Sequence, residues 1–113
     1  MKDQNTQACS LATYKIEDEE AARIYAALAH PVRLTILRQL SMHEACCKDI
    51  VGGHDLAQST VSQHLKVLVQ AGLIDFRAER QNSRYRVNHA RLDYIKDHFA
   101  QLTLSCVRPP TCD

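Results

Sequence analysis

The chain has 113 residues, 45% of them hydrophobic, and a net charge of +1, which suits one domain with a modest core that dimerisation would enlarge. A near-neutral balance excludes a protein that grips nucleic acid over its whole surface, but permits one basic face offset by an acidic segment. No apolar run approaches the roughly 20 residues that span a bilayer, and the polar start has no secretory hydrophobic region, so a cytoplasmic protein with no membrane partner is expected.

Residues 1–16 are polar and read as a tail. The acidic run at residues 17–20 suits a helix N-terminus, and Ala21, Ile24, Tyr25 and Leu28 continue it as a helical stripe. Pro31 then restricts His30 and suits the first turn of a second helix, PVRLTILRQLS, with Val32, Ile36, Leu37 and Leu40 on its core side. A short third helix is predicted over Cys46–Val51, stopping at Gly52-Gly53.

The segment QSTVSQHLKVLVQAGLI, residues 58–74, carries the most information. Val61, Leu65, Leu68 and Val69 recur at helical spacing, whereas Gln58, Ser59, Thr60, Ser62, Gln63, His64 and Lys66 fill the first two turns with hydrogen-bonding groups. Gln63 and His64 are expected to project opposite the apolar stripe. Such a polar leading end suits entry into a DNA major groove; an ordinary amphipathic surface helix is the plainer alternative. Gly72 supplies a left-handed stop. The start is less well marked, since Ala57 has no capping oxygen and Ser59 is expected to cap instead.

Next, LIDFRAERQNSRYRVN alternates apolar and polar residues on either side of a turn-rich RQNS, which predicts a β-hairpin. Arg77, Arg80, Arg84 and Arg86 lie on it with Glu79 as the opposing charge. A polar-fronted helix followed by a basic hairpin is the winged helix-turn-helix pattern: mainly α with a β-hairpin wing, α+β in class. A last helix is predicted over Ala90–Leu104, with Leu92, Ile95, Phe99 and Leu102 on one side, before Pro109-Pro110 ends regular structure. The expected organisation is a tail at 1–16, a DNA-binding and dimerisation domain at 17–104, and a second tail at 105–113.

Five cysteines in a cytoplasmic chain point to metal binding or thiol chemistry rather than a disulfide framework. Cys46 and Cys47 are adjacent, Cys9, Cys106 and Cys112 lie near the ends, and the absence of a CxxC pair excludes a zinc ribbon. His30, His43 and His54 sit at helix borders or turns and read as capping or solvated groups, and Tyr14, Tyr25 and Tyr94 as packing or dimer-seam residues.

The order helix, ALAHPVRLTIL, short helix, QSTVSQHLKVL, AGLI, basic hairpin, last helix resembles the ArsR/SmtB family of metalloregulatory repressors over residues 20–103. The resemblance implies a homodimer, paired through its first and last helices, that binds double-stranded operator DNA and lets go when an effector binds. It implies no catalysis and no organic cofactor. Arsenic-responsive members carry Cys-x-Cys at the third helix, where this chain has EACCKDI, so Cys46 and Cys47 are adjacent instead of spaced by one. His89, Asp93, Asp97 and His98 do not reproduce the spacing of the zinc-responsive members. "ACSLAT" around Cys9 is similar to the tail of a branch in which a tail cysteine joins cysteines near the partner's third helix. As(III) and Sb(III) are soft and favour three thiolates, so the implied inducer site is Cys9 of one chain with Cys46 and Cys47 of the other. Cys106 and Cys112 stand as an accessory pair, as substitutes for Cys9, or as bystanders, and a buried cysteine can equally be plain core packing. Two other functions fit the fold: a thiol redox or sulfide sensor using the same cysteines, and a protein-interaction winged helix that binds no DNA.

Overall fold

The computed structural model describes residues 16–52, 55–80 and 83–107. In chain order they form α1 (Ile16–Leu28), α2 (Pro31–Met42), β1 (Ala45–Cys46), α3 (Cys47–Gly52), α4 (Gln58–Gln70), β2 (Ile74–Ala78), β3 (Ser83–Val87) and α5 (His89–Ser105). The sheet runs β1-β3-β2 with both pairings antiparallel. This is the winged helix-turn-helix expected from the sequence, with α3 and α4 as the helix pair and β2–β3 as the wing.

One core holds these elements. Ile24, Ile36, Ile50, Leu65, Leu68 and Leu73 are fully buried, and α4 contributes Val61, Leu65 and Leu68 to it. Val69 is only half-buried. Each buried side chain of this size is worth about 1.5–3 kcal/mol, so the apolar stripe fixes the rotation of α4 and leaves its polar face outward.

Local signals set the boundaries. His30 caps α2, its Nδ1 accepting the Val32 N–H at 3.1 Å, with Pro31 in the first turn. At the end of α4, Gly72 takes φ +80°. The Leu73 N–H donates to the Leu68 carbonyl at 3.0 Å and the Gly72 N–H to Val69 at 2.9 Å, which satisfies the last carbonyls and turns the chain straight into β2. Arg91 braces this corner: its Nε donates to the Ala71 carbonyl at 3.2 Å, and its guanidinium meets Glu20 at 3.0 Å. One side chain thus ties α1, α4 and α5.

Three sequence expectations change. The short helix begins at Cys47, because Ala45 and Cys46 pair with Tyr85 and Arg84 to form β1; a two-residue strand whose partner lies some forty residues on has no local signature. Ser59 does not cap α4, which starts after Ala57 without any side-chain cap. The last helix starts one residue early and ends one late, its first turn capped by the Asn88 side chain accepting the Arg91 N–H at 3.1 Å.

Only Ile95 of α5 is buried, and Leu92 is half-buried. Phe99, Leu102 and Leu104 are 54%, 43% and 65% exposed. The first part of α5 is held to α1 by a polar chain in which His98 stands 2.8 Å from both the Tyr25 hydroxyl and Asp18 Oδ1. A carboxylate only accepts, so a neutral His98 donates from Nε2 to Asp18 and accepts the Tyr25 O–H at Nδ1. Burial first, then the charge of Asp18 and Tyr94, push the Tyr25 phenol above the ordinary tyrosine range. Among the described residues no helix is long and apolar enough to cross a membrane.

Candidate functional site

The polar face of α4 is built as the sequence suggests, with one exception. Gln58, Ser59, Thr60, Ser62, Gln63 and Lys66 are all exposed. Apart from Ser62, none of these six has an intramolecular side-chain bond among the described residues, so their donors and acceptors are free for a ligand. His64 differs: it is half-buried, and its ring packs on His30 with centroids 4.3 Å apart. It stands three residues after buried Val61 and four before buried Leu68, beside the apolar stripe and not opposite it, and wedges α4 against the start of α2.

The wing separates its chemistry by face. Strand alternation and register put Ile74, Phe76, Tyr85 and Val87 on one side and Asp75, Arg77, Arg84 and Arg86 on the other. The Phe76 and Tyr85 rings pack against each other in a tilted arrangement, centroids 5.4 Å apart. On the charged face Arg77 and Arg84 lie directly opposite, and Glu79 sits between them, 3.4 Å from Arg77 Nε and 3.6 Å from Arg84 Nε. Arg86 meets Asp75 at 3.8 Å, and Arg77 also reaches Glu44 at 3.3 Å. Glu79 is therefore not the lone opposing acid. Glu44 lies 33 residues from Arg77, beyond any local sequence window, whereas Asp75 was within the hairpin and only the register shows its partner. Arg80 is exposed and has no acidic partner among the described residues.

Cys46 and Cys47 stand where these two surfaces meet. Cys46, opposite Arg84 in the sheet, shares the arginine face by alternation. Cys47 opens α3 and places Sγ 3.7 Å from Ser62 Oγ on α4. Tyr85, which the sequence marked only as part of the hairpin's alternation, also belongs here: burial first, then its electrostatic interaction with nearby Cys47, raise its phenol above the ordinary range. Both thiols are free and half-buried, whereas Cys106 is exposed at the C-terminal end of α5. Cys9, Cys112, His54 and Tyr14 lie outside the described residues. Among the described residues no three His, Cys, Asp or Glu groups are placed to hold one metal ion, so a three-thiolate site at Cys46 and Cys47 needs a ligand from elsewhere.

His30 is a capping group, and His43 bonds the Glu44 carbonyl oxygen at 2.9 Å. Neither joins the cysteines.

Residues 30–75 match the family model described as "Bacterial regulatory protein, arsR family". The arsenical resistance operon repressor of Staphylococcus xylosus is 36% identical over 80 residues, covering 71% of this chain and 77% of that protein. Among solved structures, an ArsR-like transcriptional regulator from Rhodococcus sp. RHA1 superposes with a TM-score of 0.70 at 22% identity, over 77% of this chain and 82% of the other. The homodimeric winged helix-turn-helix DNA-binding domain of a possible ArsR-family regulator from Mycobacterium bovis gives 0.64 at 26% identity, over 77% and 80%.

Proposed function

Because the chain belongs to the arsR family of bacterial regulatory proteins, as a transcriptional repressor with a winged helix-turn-helix DNA-binding domain, we propose that it represses as a homodimer and is released by As(III) or Sb(III) bound to cysteine thiolates. It is a regulator and not an enzyme. The observation that carries the effector assignment is the pair of half-buried thiols at the junction of α4 and the wing, one of them in contact with α4.

In this mechanism the free polar groups of α4 read base edges in the major groove while the wing follows the backbone. Two copies pair through α1 and the exposed apolar end of α5, where Phe99, Leu102 and Leu104 would gain cover. The pairing spaces the two α4 helices by about one DNA turn, roughly 34–36 Å. Trivalent arsenic takes three sulfurs; Cys46 and Cys47 supply two, and Cys9 of the partner's tail the third. Since Cys46 shares the arginine face and Cys47 meets Ser62, drawing both sulfurs onto one arsenic shifts the segment that supports both DNA-reading elements. A coupling of only about 1–3 kcal/mol relaxes repression several- to over a hundred-fold, and DNA weakens effector binding by the same factor.

Arsenite titration of reduced protein, with each cysteine replaced singly by serine and operator binding as the readout, tests this. Cys46→Ser and Cys47→Ser should still bind operator yet stay bound when arsenite is added, as should Cys9→Ser, whereas Cys106→Ser should respond normally. Mixing Cys9→Ser chains with Cys46→Ser/Cys47→Ser chains rebuilds one complete site per heterodimer if the site is shared between subunits. No recovery, with a responsive Cys9→Ser homodimer, removes the tail from the site. Release by oxidant or sulfide but not by arsenite under strict reduction would replace the metalloid with thiol redox sensing.

A further inference from the structure

The segment from Glu44 to Cys47 touches both DNA-reading elements. Glu44 pairs with Arg77 of the wing, Ala45 and Cys46 pair in the sheet with Tyr85 and Arg84, and the Cys47 thiol meets the Ser62 hydroxyl. Ser62 is the fifth residue of α4, between Ser59 and Lys66 on the polar side, and of the six exposed polar residues there it alone has a side-chain bond among the described residues. We propose that Ser62 is a positioning residue through which α4 senses the state of the Cys47 sulfur: the contact favours the DNA-binding angle of α4, and occupation of the sulfur removes it. This deepens the effector assignment above and rests on it for the identity of the occupant.

The chemistry balances without an oxidant. When arsenous acid exchanges a hydroxyl for the Cys47 sulfur, the As–S bond forms as the As–O bond breaks. The thiol proton leaves with the hydroxyl as water, and arsenic stays trivalent. A sulfur so bonded has no proton to donate to Ser62 Oγ and, with a lone pair shared with arsenic, is a poorer acceptor of the Ser62 O–H. The bulk of arsenic with its other ligands also occupies the space beside it. The first turns of α4 then lose this polar contact to α3, while the core stripe of Val61, Leu65 and Leu68 continues to hold the helix in place.

The test is a double-mutant cycle on operator affinity without arsenite, using Cys47→Ala, Ser62→Ala and the double variant of the full chain. Each single change should weaken operator binding roughly 2–5-fold, the modest value of one hydrogen bond, and the double variant should bind no worse than Ser62→Ala alone. Multiplicative losses would overturn the proposal. Cys47→Ser should bind operator more tightly than Cys47→Ala, because its hydroxyl restores a partner for Oγ; equal affinities count against the contact. With arsenite, Ser62→Ala should keep the near-ultraviolet absorbance of As–S bonds while its arsenite-induced loss of operator affinity falls several-fold below wild type. Undiminished release in Ser62→Ala would overturn the proposal, whereas a wild type that binds no arsenite would overturn the effector assignment and leave the cycle to judge the contact by itself.

Discussion

The polar face of α4 and the charged face of the wing commit their hydrogen-bonding groups in opposite ways. On α4, Gln58, Ser59, Thr60, Gln63 and Lys66 have no side-chain partners among the described residues, whereas on the wing Arg77, Arg84 and Arg86 are each matched to Glu44, Glu79 or Asp75. Base-edge contacts on α4 can form without breaking anything inside the protein. A phosphate approaching Arg77, Arg84 or Arg86 would have to displace a carboxylate first, whereas Arg80 has no acidic partner among the described residues. The pairs are all substantially exposed, so each is worth only about 0–1 kcal/mol, yet they blunt what three of the four arginines would otherwise contribute. The charge that is plain in the sequence is thus partly spent inside the fold, and in the proposed mechanism α4 is left as the element that discriminates.

The largest effect that tests this contrast is on stability. Leu65→Ala opens a cavity under α4 where the side chain is fully buried and should cost about 2–5 kcal/mol in denaturant unfolding. Phe76→Ala on the half-exposed face of the wing should cost far less. Comparable losses would mean that the wing is as firmly built into the core as α4. Next, Gln63→Ala should cut specific operator affinity by about 1–3 kcal/mol with little change on random DNA. His64→Ala, by contrast, should show part of its effect as lost stability, because the ring packs on His30. Equal operator affinity in Gln63→Ala and wild type would remove α4 from the groove.

Smaller effects divide the wing. Arg80→Ala should weaken binding to all sequences and lower the salt-dependence slope by about 0.9 for one lost phosphate contact. Arg84→Ala should also lower it, but by less, since Glu79 already holds that guanidinium. Identical slopes for Arg80→Ala and wild type would separate the hairpin from the DNA. Last, Glu79→Gln should strengthen non-specific binding by less than about 1 kcal/mol, because it releases Arg84 and removes one of the two carboxylates that hold Arg77. Weaker binding in that variant would show that Glu79 positions the arginines instead of competing for them.

Most of the architecture is set by signals that span a few residues. Pro31 with His30 starts α2, Gly72 stops α4, the spacing of Val61, Leu65 and Leu68 turns one helical face inward, and the alternation about RQNS folds a hairpin. These depend on backbone sterics and on apolar periodicity, both local properties, so the chain declares them by itself. The polar leading end of α4 and the adjacent pair Cys46-Cys47 were legible for the same reason. Tertiary structure decided which of those groups are free. Glu44 reaches Arg77, Cys46 leaves the predicted helix to join β3, Cys47 meets Ser62, and His64 rests on His30, each through partners 15 to 38 residues away in sequence. Such pairings are selected only once the core has fixed the relative placement of α2, α3, α4 and the wing, because a hydrogen bond or ion pair of this size is too weak to bring distant segments together unaided.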